Sequence, residues 1–533
     1  MKIQKLSELK SLAFVIVLAT GVCLDAKETS SNSFTFPSTG ITVKDQAVLL
    51  AIDDFSLPLK KDLCYYLSKP KIRKDPVLLP SRNDLNAPDF LRTQFYGTVL
   101  FDKGKFRMWY YACSVKGDWK IGEPFTGVKQ GPVCYAESED GIHWIKPNLG
   151  QVLFKGNKNN NGIALPSEIT QAATLIKDED EPDPARRYKM VYCELCPKKF
   201  FTMRTATSSD GIHWTAGAEM PVDRFMEHCS FYKYNSFYFV NAQTYDRSEG
   251  GDWQGRQGYT RISADFDNWL TEVGESFLLP EPAKGRGITK EYDQVHLGVG
   301  AMSLGNVLVG VYGLWHHRTG YRGTSCDLGL VVSNDGMHFR EPVKGHVFIS
   351  QHDSPVTPVE GKDYPTILCQ GNGILNVGDE TRIYHSRWRN APYSLDYYAE
   401  VGMATLPRDR WAAIGLIPPL EGHSFTAEGA SIGTVWSAAV VLPAGGCKIF
   451  LNADDADCMS VEISDERFNL IPEYCGANSG VVKVKGGLDC PVTWPKGKLK
   501  ALRDKTIRLR ITLKKKVSSS EPRLFAVYLK AGN

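Results

Sequence analysis

The sequence predicts an all-β fold, a five-bladed β-propeller followed by a β-sandwich, on three observations. A short segment ending in an aromatic residue recurs five times at near-constant spacing. Upstream of each copy stands a strand, polar turn, strand pattern. Beyond residue 420 the repeat stops and strict polar–apolar alternation takes over.

The copies are "YAESEDGIHW" (135–144), "TATSSDGIHW" (205–214), "RISADFDNW" (261–269), "LVVSNDGMHF" (330–339) and "MATLPRDRW" (403–411). Their terminal aromatics, Trp144, Trp214, Trp269, Phe339 and Trp411, stand 70, 55, 70 and 72 residues apart, each interval room for one four-stranded sheet. In each copy an alternating strand runs into Asp-Gly or an equivalent polar pair, which permits a tight turn. The aromatic then begins the next strand and is placed to plug the seam between neighbouring blades. The segment is similar to the Asp box of sialidases, which carries one more residue between Asp and Gly.

Taken in order, residues 1–26 read as a secretory signal: Lys2, Lys5 and Lys10 precede the apolar run "LAFVIVLATGVCL" (12–24). That run is short for a bilayer span and no other stretch qualifies, so the mature chain is expected to be exported without a transmembrane segment. Cys23 offers lipoprotein anchoring as a minor alternative. Residues 27–90 are expected to be a lead-in packed on the propeller. Residues 91–420 carry the propeller. Its inner hairpins begin at "YGTVLFDKGKFRMWYYA" (96–112), "TLIKDEDEPDPARRYKMVYCE" (174–194), "SFYKYNSFYFVNA" (230–242), "AMSLGNVLVGVYGLW" (301–315) and "GILNVGDETRIYHSRW" (373–388). The acidic run in the second reads as a solvated hairpin loop. A Pro/Gly-rich linker, "GLIPPLEGHSFTAEGA" (415–430), leads into the sandwich, residues 421–533.

With 63 basic and 60 acidic residues, net charge +3, the chain has no electrostatic footprint for nucleic acid. Its 13 cysteines include "CELC" (193–196), which lacks a second half-site and reads as packed or disulfide-bonded. Cys447, Cys458, Cys475 and Cys490 cluster near the C-terminus, where pairing is open to them. No cofactor is expected, although a channel metal such as calcium is compatible with histidines like His296.

Inner-strand starts of a propeller converge on one funnel, and binding sites favour such concave junctions. The candidates there are Arg92 and Gln94 in blade one, Gln171 in blade two, Glu227 and His228 in blade three, Asp293, Gln294 and His296 in blade four, and Gln370 and Asn372 in blade five. His316, His385 and Arg387, at the ends of second strands, are candidates to bond sugar hydroxyls. Polar residues at one topological position in every blade suit a solvated pocket better than a core. Glu227 and Asp293 are the pair that glycoside hydrolysis requires, one carboxylic acid to protonate the leaving oxygen and one carboxylate as base or nucleophile.

These features resemble the five-bladed glycoside hydrolase superfamily that includes families 32, 43 and 68, especially its secreted members with a C-terminal sandwich. "KFRMWYYA", "YAESEDGIHWIKP", "YKMVYCE", "TATSSDGIHW" and "LNADDADCMSVEISDERFNLI" carry the resemblance, over residues 90–533. It implies acids on the inner strands of the first three blades. The Glu of the third blade matches Glu227 in "MEHC", with one residue inserted before Cys229. The family 32 motifs "NDPNG" and "RDP" are absent. The nearest blade-one acids are Asp84 and Asp89, and Gln171 occupies the blade-two position. The acid is therefore expected at Glu227 with its partner moved to Asp293, and fructan cleavage is not implied. Two other readings stay open: a non-catalytic carbohydrate-binding propeller, and a polysaccharide lyase using His296 with Arg92.

Overall fold

Five consecutive stretches of alternating sequence form antiparallel meanders in the computed structural model. It describes residues 32–167, 169–196, 199–221, 227–247, 253–279, 292–318, 323–419 and 429–532. The signal segment, Cys23, and residues 420–428 of the linker lie outside them. The chain is almost wholly β, and among the described residues no helix is long and apolar enough to cross a membrane. The first meander comprises Arg92–Asp102, Lys105–Val115 and Val128–Ser138. The second comprises Thr170–Lys177, Tyr188–Cys196, Lys199–Ser208 and Thr215–Glu219. Glu227–Tyr234, Phe237–Arg247, Trp253–Ser263 and Gly274–Phe277 make the third. The fourth runs through Tyr292–Ser303, Leu308–His317, Ser325–Ser333 and Val347–Ile349. In the fifth, Ile367–Cys369 and Ile374–Val377 both pair with Glu380–Arg389, which pairs with Tyr398–Pro407. Lys71–Ile72, from far upstream, forms its outer edge.

The first strand of each meander packs beside the first strand of the next, and that of the fifth returns to the first. Each of these strands is interrupted, in the second and third meanders close to its start. Register shifts fall between Gln94 and Thr98, Thr170 and Ala173, His228 and Ser230, and His296 and Val299, and in the fifth meander the interruption splits the strand outright. A bulge leaves backbone groups off the ladder, and side-chain amides collect them. Asn241 Oδ1 accepts from Val299 N at 2.8 Å, Gln243 Oε1 from Leu297 N at 2.8 Å, and Asn372 Oδ1 from Phe231 N at 3.1 Å.

The repeated decapeptide is a self-closed turn latched onto the preceding meander. Ser138 Oγ accepts from Gly141 N at 2.9 Å, and Asp140 Oδ1 accepts from Ile142 N and His143 N, both at 2.8 Å. Ser208 with Asp210, Ser263 with Asp265 and Ser333 with Asp335 repeat the pattern. The turn needs a left-handed residue, which Gly141, Gly211 and Gly336 supply at φ 74°, 77° and 84°. The third copy places Phe266 there at 72°. Tyr384 of the fifth meander donates to Gly141 O (2.8 Å), Trp109 of the first to Gly211 O (2.8 Å), and Tyr232 of the third to Gly336 O (2.8 Å). Lys189 of the second lies 5.7 Å over the Phe266 ring, and Trp411 stacks against Phe348 of the fourth at 5.7 Å.

The lead-in takes a different course from the one expected. Ser33–Phe36, Gln46–Leu50, Leu59–Lys61 and Leu63–Leu67 pair respectively with Val440–Val441, Arg523–Ala531, Ile432–Trp436 and Ala412–Leu416. Most of its strands thus complete the C-terminal β-structure, a 14-stranded sheet in all, because their alternate apolar residues share that core. Asn306, at its side-chain amide, clips Val48 to the fourth meander. Ala412–Leu416 also pairs with Arg523–Ala531, so the C-terminal unit begins before residue 421. Two further expectations change. Cys447, Cys458, Cys475 and Cys490 are free thiols, and so is Cys193 of the CELC string. Asp178, first of the acidic run, is buried, accepting from Tyr238 Oη at 2.5 Å and Lys233 Nζ at 2.7 Å.

Candidate functional site

Where the first strands start, side chains from the first, fourth and fifth meanders form one aromatic floor, with the Glu227 carboxyl of the third close enough to act on Tyr96 and Tyr397. Arg92 donates to the Tyr397 hydroxyl and to Gln94 Oε1, and its guanidinium lies 4.8 Å over the Trp388 ring. Tyr96, Tyr111, Trp315, Trp388 and Tyr397 pack into the same buried cluster. His296 stacks among them, 4.7 Å from Trp315 and 6.4 Å from Trp388. Burial, with Arg256 nearby, holds its imidazole neutral, well below the usual range. Gln94 Nε2 reaches Cys369 Sγ at 3.5 Å. Gln294 accepts from Arg256 N at 3.2 Å, tying the fourth meander to the third.

Glu227, first residue of its strand, is partly buried and accepts from Gln243 Nε2 at 2.6 Å. Loss of solvent pushes its carboxyl above the usual range; Arg256, Gln243 and Arg92 pull it back only in part. Asp293, on the first strand of the next meander, behaves oppositely. Burial raises its proton affinity, but the bonds from His316 Nδ1 (2.8 Å) and Arg318 Nη2 (2.9 Å) outweigh that and hold it ionised. Both bonds fall on Oδ1. His316 bridges on to Asp327 through Nε2 at 3.1 Å. Burial opposes its charge, yet the two carboxylates raise its pKa to about 9. Asp293 is not among the groups that act on Glu227; the two carboxyls belong to separate hydrogen-bond networks.

Several candidates are structural. His228 is buried with Nδ1 at 3.1 Å from Cys193 Sγ and Nε2 at 3.0 Å from Val191 O, so its ring joins two meanders and has no nitrogen left for a sugar. Gln370 Nε2 donates to His296 O and Gly298 O, both 2.7 Å, securing a bulge. Asn372 is spent on Phe231 and Leu175 in the middle of the ring. His385 bonds Ser354 Oγ at 2.7 Å, and Arg387 bonds the same hydroxyl at 2.8 Å and the carbonyls of Lys74 and Arg73. Both lie away from the floor. Asp89 is buried against Lys146 Nζ (2.5 Å) and Tyr110 Oη (2.8 Å). Gln171 is part-buried beside the second strand's bulge, its Oε1 unpaired.

The sequence reading missed the floor. Trp315 and Trp388 stand in "YGLWHHR" and "HSRWR", the strings that yielded histidine and arginine candidates. The aromatic beside each polar residue was the signal. Among the described residues no set of three or more His, Cys, Asp or Glu side chains is grouped as metal ligands. The hairpin end of the ring carries a separate cavity of about 560 Å³ lined by Lys177, Asp178, Lys233, Met302 and Asn376.

No protein-family model matches the chain, and no curated protein does. Solved structures do. A β-1,2-mannobiose phosphorylase from Listeria innocua is 11% identical, with TM-score 0.41 over 64% of this chain and 97% of its own. An N-acetylgalactosamine deacetylase from F. plautii is 12% identical, TM-score 0.39, over 64% and 96%. A GH43_1 enzyme from Xanthomonas citri, complexed with xylose, is 10% identical, TM-score 0.38, over 63% and 90%. Likeness at this level assigns no activity, and the chemistry has to be argued from the side chains themselves.

Proposed function

We propose that this chain is an exported glycoside hydrolase whose five meanders are the blades of a propeller and whose C-terminal strands, with the lead-in, form an accessory β-sandwich. Glu227 protonates the glycosidic oxygen, and Asp293 is the base or nucleophile. The observation that carries the reading is the opposite treatment of two carboxyls at neighbouring strand starts. One is kept toward its protonated form by desolvation and the other ionised by His316 and Arg318. Environments that drive two carboxyl groups apart in this way assign acid and base. Asp293 Oδ2 has no partner among the described residues and is free to take a proton from water or to attack. The aromatic floor offers faces on which a sugar ring can stack.

The test is cleavage of a glycan panel by the native chain, Glu227→Gln and Asp293→Asn. Each substitution is expected to lower kcat at least about 100-fold. Full activity in Glu227→Gln removes the acid assignment. A second reading, carbohydrate binding without cleavage, draws on the separate networks of the two carboxyls. It predicts glycans bound and recovered intact by the native chain.

A further inference from the structure

Three N–H donors on the floor of this site have no acceptor among the described residues: Arg92 Nε, Trp315 Nε1 and Trp388 Nε1. Their side chains belong to residues only 2%, 6% and 9% exposed, so bulk water does not serve them. They are neighbours. The Arg92 guanidinium lies 4.8 Å from the Trp388 ring centre, and the two indoles are 6.3 Å apart. All three are donors; a hydroxyl or carbonyl within the protein would relieve them only one at a time.

Charge points the same way. The hydrogen-bond acceptors of Arg92 are a phenol and an amide, both neutral. A buried guanidinium is ordinarily matched by an anion. Glu227 makes no hydrogen bond to it, accepting instead from Gln243, and desolvation shifts that carboxyl toward its protonated form. Arg92 is therefore a buried cation whose hydrogen bonds, among the described residues, reach no anion.

We propose that the sugar bound here carries an anionic substituent, a carboxylate or a sulfate ester, whose oxygens accept from Arg92 and from the indole N–H groups of Trp315 and Trp388. The inference rests on the carbohydrate reading of this site and names its substrate class. Such an oxyanion satisfies several donors at once and supplies the missing counter-charge, which a neutral hydroxyl does not.

Calorimetric titration of the full chain against four acidic polymers, each paired with its neutralised form, tests it. Polygalacturonate and alginate, with their carboxyl-reduced products, form the carboxylate arm. Carrageenan and fucoidan, with their desulfated products, form the sulfate arm. At least one acidic polymer is expected to bind about tenfold or more tightly than its neutralised counterpart, and the arm that responds identifies the anion. Arg92→Gln is expected to erase the preference. Trp315→Phe, which keeps the ring and removes only the N–H, is expected to reduce it about tenfold. Binding to none of the acidic polymers, equal binding to the neutralised forms, or an unchanged preference in a folded Trp315→Phe chain overturns the proposal. An acidic polymer bound with the stated preference and left uncut sinks hydrolysis and spares the anion. Glu227-dependent cleavage of a neutral glycan, with no preference for charge, does the reverse.

Discussion

At Glu227 and Asp293 the direction of each shift fixes a limb of the pH profile. The acid works only while protonated, so kcat/KM is expected to fall as pH rises through a value above the ordinary Glu range. The base works only while ionised, so the acidic limb is expected below the ordinary Asp range. Glu227→Gln should abolish the first limb along with most of the rate, and a profile with its basic limb at an ordinary Glu value contradicts the assignment. His316 makes a separate prediction about stability. Its folded pKa, about 9, exceeds the unfolded value near 6.5, so the stabilisation is complete below the lower value and is lost as pH rises to the higher. The span corresponds to on the order of 3 kcal/mol. Urea unfolding of the native chain and His316→Gln between pH 6 and 9.5 should converge as pH rises; parallel curves would show that His316 is not charged in the fold. The place of Glu227 at the start of its strand was legible in the sequence because a short string marks it. The groups that set its proton affinity, Arg256 from the third strand of its own meander and Arg92 from the first meander, are brought to it by the fold, and that convergence could not be read there.

The repeated turn was the most legible element, since Ser, Asp and the left-handed position act within seven residues of one another. What it locks onto was not legible, because Tyr384, Trp109 and Tyr232 are brought to it by the preceding meander's packing. Phe266 separates the two contributions. It occupies a left-handed position at 72° yet packs against Phe231, Tyr238 and Trp269. Phe266→Ala keeps the backbone strain and loses the packing, at a cost of about 3 kcal/mol. Phe266→Gly loses the same packing and relieves the strain, so it should be about 1 kcal/mol more stable than Phe266→Ala, the reverse of the usual order. Thermal unfolding of the two variants decides it: an alanine chain as stable as the glycine chain would mean that the turn bears no strain. Inner strands were less legible. Their polar residues suggested a wet funnel, but Asn372 and Gln370 serve bulges that no local pattern announces.

For the whole molecule, the two ends of the chain are woven together. Strands from residues 33–67 lie between or beside strands from 412–531, and Leu49 and Val527 share a register. A fragment of residues 427–533 alone would leave Arg523–Ala531 without its partner Gln46–Leu50 and open a large apolar face. That fragment is expected to lack a cooperative unfolding transition and to regain one when residues 32–70 are supplied in trans; cooperative melting of the fragment by itself would refute the interweaving. Alternation made the individual strands legible, whereas pairings across more than 450 residues leave no trace in local pattern. The clasp between Lys71–Ile72 and Tyr398–Pro407 extends the point to biosynthesis. The ring's earliest strand leaves the ribosome long before the one it must join, so a nascent chain holds an unfinished toroid with two raw edges until about three-quarters of the chain has been made. Maturation then comes as a single late event, and any product cut short before residue 398 is open prey for proteases.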